Sequence, residues 1–251
     1  MIEMLVVLQA RMSSSRLPGK VLKDINGKPM IYWQIQRVLK ANIDKLVLAT
    51  SNDKSDDVLA KYVAGLGVEV YRGSLEDVFS RFLNVAHMQK ALNVVRLTGD
   101  CPLVMPDLID SMVANYQRTQ TDYLSNTNPP SFPDGLDVEI FSASCLEKLT
   151  KYKLSKQELE HVTLGIYSRP EVFSLRNFRS PESLESFRWT VDYPEDLHFI
   201  RSIFGHFKGR EESISISDVL KLLRKGTIDL NPLSDKFRNI ALTEIAREES
   251  I

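Results

Sequence analysis

The chain has 251 residues, 43% hydrophobic and 26% charged, which is enough apolar material for one large domain with a buried core. Its 32 basic and 33 acidic side chains give a net charge of −1 with no basic run to track a phosphate backbone, which argues against nucleic-acid binding. Apolar runs of about five residues fall far short of the roughly 20 that span a bilayer, no export leader opens the sequence, and Cys101 and Cys145 build neither a disulfide framework nor a metal knuckle, so a cytoplasmic chain is expected.

Residues 4–8 (MLVVL) form a continuous apolar run, as a strand buried on both faces requires. Pro29 then opens a helix carrying Ile31, Ile35, Val38 and Leu39 at helical spacing. Residues 46–49 read as a second strand, 56–66 as a helix stopped by Gly67, and 68–71 as a third strand. Leu75, Val78, Phe79, Phe82, Leu83 and Ala86 mark another helix ahead of a strand at 94–97. Repeated strand–helix–strand units predict an α/β fold with a mostly parallel sheet covered by helices on both faces.

The pattern changes after residue 121. Strands are expected at 122–124 and 136–140, around the proline-rich loop 126–135, with Asp137 and Glu139 on one polar face. Helices follow at 142–150 and 157–167, strands at 172–175 and 187–191, and a helix from Pro194. The last fifty residues read as mainly helical. We therefore expect a single domain over 1–251: a first half to about 121, an inserted α+β subdomain over 122–190, and a returning helical part over 191–251.

Chemistry concentrates in the segment Leu8-Gln9-Ala10-Arg11-Met12-Ser13-Ser14-Ser15-Arg16-Leu17-Pro18-Gly19-Lys20. It leaves the carboxyl end of the first strand, where open α/β sheets bind ligands. Backbone N–H groups with Arg11, Arg16 and Lys20 suit phosphate oxygens. The segment is not a P-loop, because Val21 stands where Ser or Thr should follow Lys20. On charge alone it also fits a solvated basic turn. Asp100 and Asp192 each follow an expected strand, where two carboxylates can converge on one oxygen-seeking cation. By spacing alone, helix caps or solvated turn residues are the better fit.

The string A-R-x-x-S-x-R-L-P-G-K directly after the first strand resembles the N-terminal signature of the CMP-sugar synthetases, the family of the Kdo and sialic acid cytidylyltransferases. Within it the likeness is strongest to the group named for spore-coat polysaccharide biosynthesis protein F. Further matches follow in order at residues 71–78 (YRGSLEDV), 96–102 (RLTGDCP), 134–139 (DGLDVE), 160–163 (EHVT) and 190–196 (TVDYPED). The resemblance implies a Rossmann-like nucleotide-diphospho-sugar transferase fold. It also implies a reaction in which a sugar hydroxyl attacks the α-phosphorus of CTP and pyrophosphate leaves. Arg11, Arg16, Lys20 and Asp100 would be catalytic, and Asp100 and Asp192 would hold Mg2+. Nucleotide contacts would come from Leu8, Gln9, Ala10, Arg11, Arg16, Lys20, Arg72, Gly73, Ser74, Thr98 and Gly99. Asp134, Gly135, Asp137, Glu139 and His161 would face the acceptor sugar. The Kdo enzymes carry a basic residue before this histidine, where Glu160 stands here.

A homodimer built after residue 124 is expected from the same resemblance, with Phe132, Leu136 and Phe141 as apolar groups that a small subdomain would struggle to bury. Three alternatives remain open at this point. One is a sugar-1-phosphate nucleotidylyltransferase, which usually starts with a glycine-rich loop. The others are a nucleotide-sugar glycosyltransferase, which should show Asp-x-Asp, and a non-catalytic nucleotide-binding protein.

Overall fold

Why β1 (Ile2–Gln9) is apolar throughout is visible in how its side chains divide. Met4, Val6 and Leu8 join one hydrophobic core, and Leu5 and Val7 join another on the opposite face. The computed structural model describes residues 1–234. A hairpin, β2 (Asp24–Ile25) and β3 (Lys28–Pro29), leads into α1 (Met30–Val38), capped by Pro29. Then come β4 (Lys45–Ser51), α2 (Asp57–Gly65), β5 (Glu69–Gly73), α3 (Val78–Gln89) and β6 (Ala91–Thr98). Helix α4 (Pro106–Thr119), absent from the sequence reading, follows. Pro106 starts it, and Leu108, Ile109, Met112, Val113 and Tyr116 form its buried stripe.

The remaining described elements are β7 (Tyr123–Ser125), β8 (Glu139–Ser142), α5 (Ala143–Leu149), α6 (Lys156–His161), α7 (Leu164–Tyr167), β9 (Leu175–Asn177), α8 (Pro194–His206) and α9 (Ile216–Arg224). The expected helical character of the last fifty residues falls partly on 235–251, outside the described residues. The main sheet has seven strands in the order β5-β4-β1-β6-β8-β7-β9. Only β8 runs against the others, paired antiparallel to both β6 and β7. Gln9 sits beside Ala49 on β4 and Thr98 on β6, so the loops leaving these strands open on one edge.

Residues 122–190 supply β7, β8 and β9 to the main sheet. Two expectations need correction. The ladder expected from residue 136 begins only at Glu139, because the Asn126 side chain takes the backbone bonds instead. Its Nδ2 donates to the Leu136 carbonyl at 2.8 Å, and Val138 N–H donates to its Oδ1 at 2.9 Å. Residues 187–191 form no strand; their ladder pairing is confined to an isolated bridge between Asp134 and Arg188. Gly135 explains the close approach there: a Cβ would lie 2.4 Å from the Thr190 backbone nitrogen, and its φ of +102° excludes most side chains. Phe132, Leu136 and Phe141 are buried within the chain, so the apolar argument for a dimer fails.

Candidate active site

The loop after β1 is held from below by a carboxylate. Asp56, fully buried, accepts hydrogen bonds from the Met12 N–H at 2.7 Å, the Thr50 hydroxyl at 2.9 Å and the Ser51 N–H at 3.0 Å. Gly19 turns the loop back at φ +67°, where a side chain would be strained, and delivers Lys20 at the start of a 3-10 turn. On the opposite wall, Val191 N–H donates to the Asp100 carbonyl at 2.9 Å, which sets residue 192 beside residue 100.

These supports bring one ammonium between two carboxylates. Lys20 Nζ lies 3.1 Å from Asp100 Oδ2 and 2.8 Å from Asp192 Oδ1. Arg16 approaches Asp192 at 3.3 Å from outside, and Arg188 at 3.3 Å from within. Burial alone would lower the Lys20 pKa, yet the two carboxylates hold it above its ordinary value. Burial would likewise raise the Asp100 carboxyl, but Lys20 and a hydrogen bond from Thr98 bring it well below the usual range. The site is thus charged and already neutralised.

Above it opens a cavity of about 470 Å³. Ten predicted residues line it: Gln9, Ala10, Arg11, Arg16, Lys20, Thr98, Gly99, Asp100, His161 and Asp192. Gly99 permits the contact between loops, since a Cβ there would meet the Ala10 Cβ at 2.6 Å. A second cavity of about 340 Å³ adjoins it and shares Arg96, Thr98 and His161. Asp137, Glu139, Thr163 and Tyr167 lie on its wall.

Glu139 is no solvent-facing edge residue. It sits opposite Arg96 in the β6–β8 ladder and pairs with its guanidinium. It also accepts hydrogen bonds at 2.6 Å from the Tyr123 and Thr163 hydroxyls. Arg96 in turn donates to Gln9 Oε1 at 3.2 Å, so this buried network fixes the floor common to both cavities. His161 ends α6, and Val162 after it adopts φ +44°, an uncommon setting for a β-branched residue. That turn places His161 at the cavities while Thr163 reaches Glu139. Burial first, and Arg96 second, lower the His161 pKa, which favours the neutral imidazole.

Several predicted residues lie elsewhere. Leu8 is core, 1% exposed. Arg72 pairs with Asp57 at 2.7 Å and donates to the Ser51 and Asp53 carbonyls at 2.8 Å each. Gly73 and Ser74 line neither cavity. Asp134 binds the buried Arg188 at 2.8 Å, and Gly135 serves packing. Conversely, sequence reasoning passed over Arg81, Arg96 and Arg188. Arg81 stands three residues after Val78 and four before Val85, inside the apolar stripe of α3, and Arg96 interrupts the buried strand β6. A charge in an apolar run was the available signal for both.

A divalent cation fits the donor set. Lys20 already holds a positive charge between the two carboxylates. Among the described residues no group of three or more His, Cys, Asp or Glu gathers, so a cation held by Asp100 and Asp192 would take its remaining ligands from outside these side chains.

Comparison with known proteins gives consistent matches. The cytidylyltransferase family profile matches residues 5–211. The spore coat polysaccharide biosynthesis protein SpsF of Bacillus subtilis is 33% identical over 231 residues, covering 89% of this chain and 95% of that protein. The 3-deoxy-manno-octulosonate cytidylyltransferase of Photobacterium profundum is 34% identical over 254 aligned positions, 80% of this chain and 98% of that one. A solved cytidylyltransferase from Leptospira borgpetersenii superposes with a TM-score of 0.87 at 28% identity, covering 92% of this chain and 98% of its own.

Proposed function

This chain belongs to the cytidylyltransferase family, and we propose that it transfers CMP from CTP to a hydroxyl of an acidic sugar of the 3-deoxy-2-keto class, in a magnesium-dependent reaction that releases pyrophosphate. The observation that carries this reading is Lys20 held between Asp100 and Asp192 where a nucleotide-sized cavity meets a second, polar one. CTP fills the larger cavity with its phosphates toward Arg11, Arg16 and Lys20. The acceptor fills the smaller one against Asp137, His161, Thr163 and Tyr167.

The sugar hydroxyl attacks the α-phosphorus in line and loses its proton to solvent, the P–O bond to the β-phosphate breaks, and pyrophosphate leaves. Asp100 and Asp192 would hold the cation, which would shield charge on the α-phosphate. Lys20 then swings to the β- and γ-phosphates, and Arg16 follows it. Arg96, locked by Glu139, keeps the two substrates' compartments in register. Such a site works by positioning and fixed charge, so no strong general base is needed. The Photobacterium relative's name supports a keto-acid acceptor. Pyrophosphate release from CTP against a panel of 3-deoxy-2-keto acids and neutral sugars tests it. Turnover with neutral sugars alone would overturn the acceptor class.

A homodimer is part of the same proposal and rests on the family resemblance. Light scattering that finds one fully active species near 28.6 kDa would refute it. Among the described residues no helix is long and apolar enough to cross a membrane.

A further inference from the structure

Helix α1 holds an amide on its apolar side. Gln34 is fully buried and shares a helix face with Met30, Ile31 and Val38, which are wholly buried too. Its Nε2 donates to the Thr98 carbonyl at 2.7 Å, and its Oε1 has no partner among the described residues. Burying an amide with its oxygen unmet is unfavourable, and an apolar side chain of the same length would fill the space without that cost. Packing therefore gives no reason for a glutamine at this place. The one bond it makes does.

That bond acts on the strand end that leads to Asp100. Thr98 is the last residue of β6, paired with Gln9 of β1. The Thr98 carbonyl and the Gly99 N–H belong to one planar, rigid peptide unit. Gln34 holds the carbonyl edge of that unit, and on the other edge the Gly99 N–H donates to the Gln9 carbonyl at 2.7 Å. Gly99 has no room for a side chain, because a Cβ would meet the Ala10 Cβ at 2.6 Å, so only these two bonds restrain a glycine that is otherwise free to turn. The far end of the turn is tied to the same helix. Arg37, one turn beyond Gln34, donates to the Val104 carbonyl at 2.7 Å. Asp100 stands between the two ties, and its carboxylate takes a hydrogen bond from the Thr98 hydroxyl.

We propose that Gln34 is a positioning residue of the cation site: by clamping the Thr98–Gly99 peptide it fixes where the Asp100 carboxylate stands relative to Asp192. Without the amide the peptide is held on one edge only and tilts, and the carboxylate two residues later moves with it. Gln34 touches neither cation nor substrate; it acts through Thr98 and Asp100.

This inference rests on the reading that Asp100 and Asp192 hold a divalent cation, and the test separates the two. The probe is Mn2+, titrated by electron paramagnetic resonance into two nucleotide-free parents, the wild-type chain and Lys20→Met, each with and without Gln34→Met. Groups that orient a metal ligand are worth about tenfold or more in metal affinity, so Gln34→Met should weaken Mn2+ about tenfold in both parents. CMP affinity, read by calorimetry in EDTA, should stay within about twofold, because the nucleotide then binds without the cation. Melting should stay within about 3 °C of the parent, because the lost bond and the relieved Oε1 largely offset each other. A Mn2+ loss under about threefold overturns the inference. So does a CMP loss as large as the Mn2+ loss, which would make Gln34 a support of the whole cavity wall. If neither parent binds Mn2+, the reading of the two carboxylates itself fails, before Gln34 is touched. Should Gln34→Met not fold, Gln34→Leu, apolar and more compact, carries the same comparison.

Discussion

Arg188→Met is the perturbation whose cost the structure defines most fully. The Arg188 guanidinium donates to Asp196 through Nε at 2.8 Å and Nη2 at 2.9 Å, to Asp134 through Nη1 at 2.8 Å, and reaches Asp192 at 3.3 Å. Its side chain is 4% exposed and that of Asp196 is 0%. Removing one partner from a buried ion pair leaves uncompensated charge and costs about 3–5 kcal/mol. Asp196 keeps hydrogen bonds from Asn231 at 2.8 Å and from the Asp192 and Tyr193 N–H groups at 2.9 and 3.0 Å, which hold the figure inside that range. For a domain of this size each kcal/mol shifts Tm by about 2–4 °C, so melting should fall by roughly 6–20 °C. Circular dichroism melts of the wild type, Arg188→Met and Arg188→Lys provide the assay, with the lysine variant between the other two. A methionine variant melting within about 2 °C of wild type would refute the account of how Asp192 and the 134–135 turn are held, because such a shift is worth no more than about 1 kcal/mol.

Lys20→Met should tighten Mn2+ binding in the absence of nucleotide, because the ammonium at 3.1 and 2.8 Å occupies the place proposed for the cation, while weakening CTP more than CMP; electron paramagnetic resonance showing unchanged Mn2+ affinity would contradict this. Gly135→Ala should destabilise by about 1–3 kcal/mol from its positive φ alone, with more from the 2.4 Å contact to Thr190; a urea midpoint equal to wild type would disprove the packing role. Acid should unfold the chain early. Burial raises Asp122, Glu158 and Asp218, but hydrogen bonds from Ser174, from Arg169 with Ser155, and from Ser215 outweigh it and leave each below its ordinary pKa. Depressed folded pKa values mean stability present above the unfolded values of about 4 and lost as pH falls through the folded ones. Urea midpoints should hold from pH 7 to about 5 and drop below about 4, and a flat profile to about pH 3 would contradict the assignment.

The Rossmann-like half was legible because its signals are local. The apolar run of β1, Pro29 before α1 and Gly67 after α2 each act within a few residues. Helix α4 was equally readable, since Pro106 opens it and Leu108, Ile109, Met112, Val113 and Tyr116 recur at helical spacing. Beyond residue 121 the determinants are tertiary. Asn126 replaces a neighbouring strand for Leu136 and Val138, and Arg188 gathers three carboxylates that lie up to 54 residues away. No period in the sequence encodes either. The site divides in the same way: Arg11, Arg16, Lys20 and Asp100 were legible as polar residues leaving strand ends, whereas Asp192 follows an expected strand that does not form. Glu139 read as a polar edge but is a buried hub, because its partners Arg96, Tyr123 and Thr163 converge only in the folded chain.

The central claim is that Asp100 and Asp192 jointly hold the cation at which CTP is cleaved, with Lys20 between them in the free enzyme. Asp100→Asn and Asp192→Asn keep shape and remove charge, so each should melt near wild type yet release no measurable pyrophosphate from CTP at saturating magnesium. Turnover above about a tenth of wild type in either variant, a loss under about 1.4 kcal/mol of barrier, would contradict a direct ligand role.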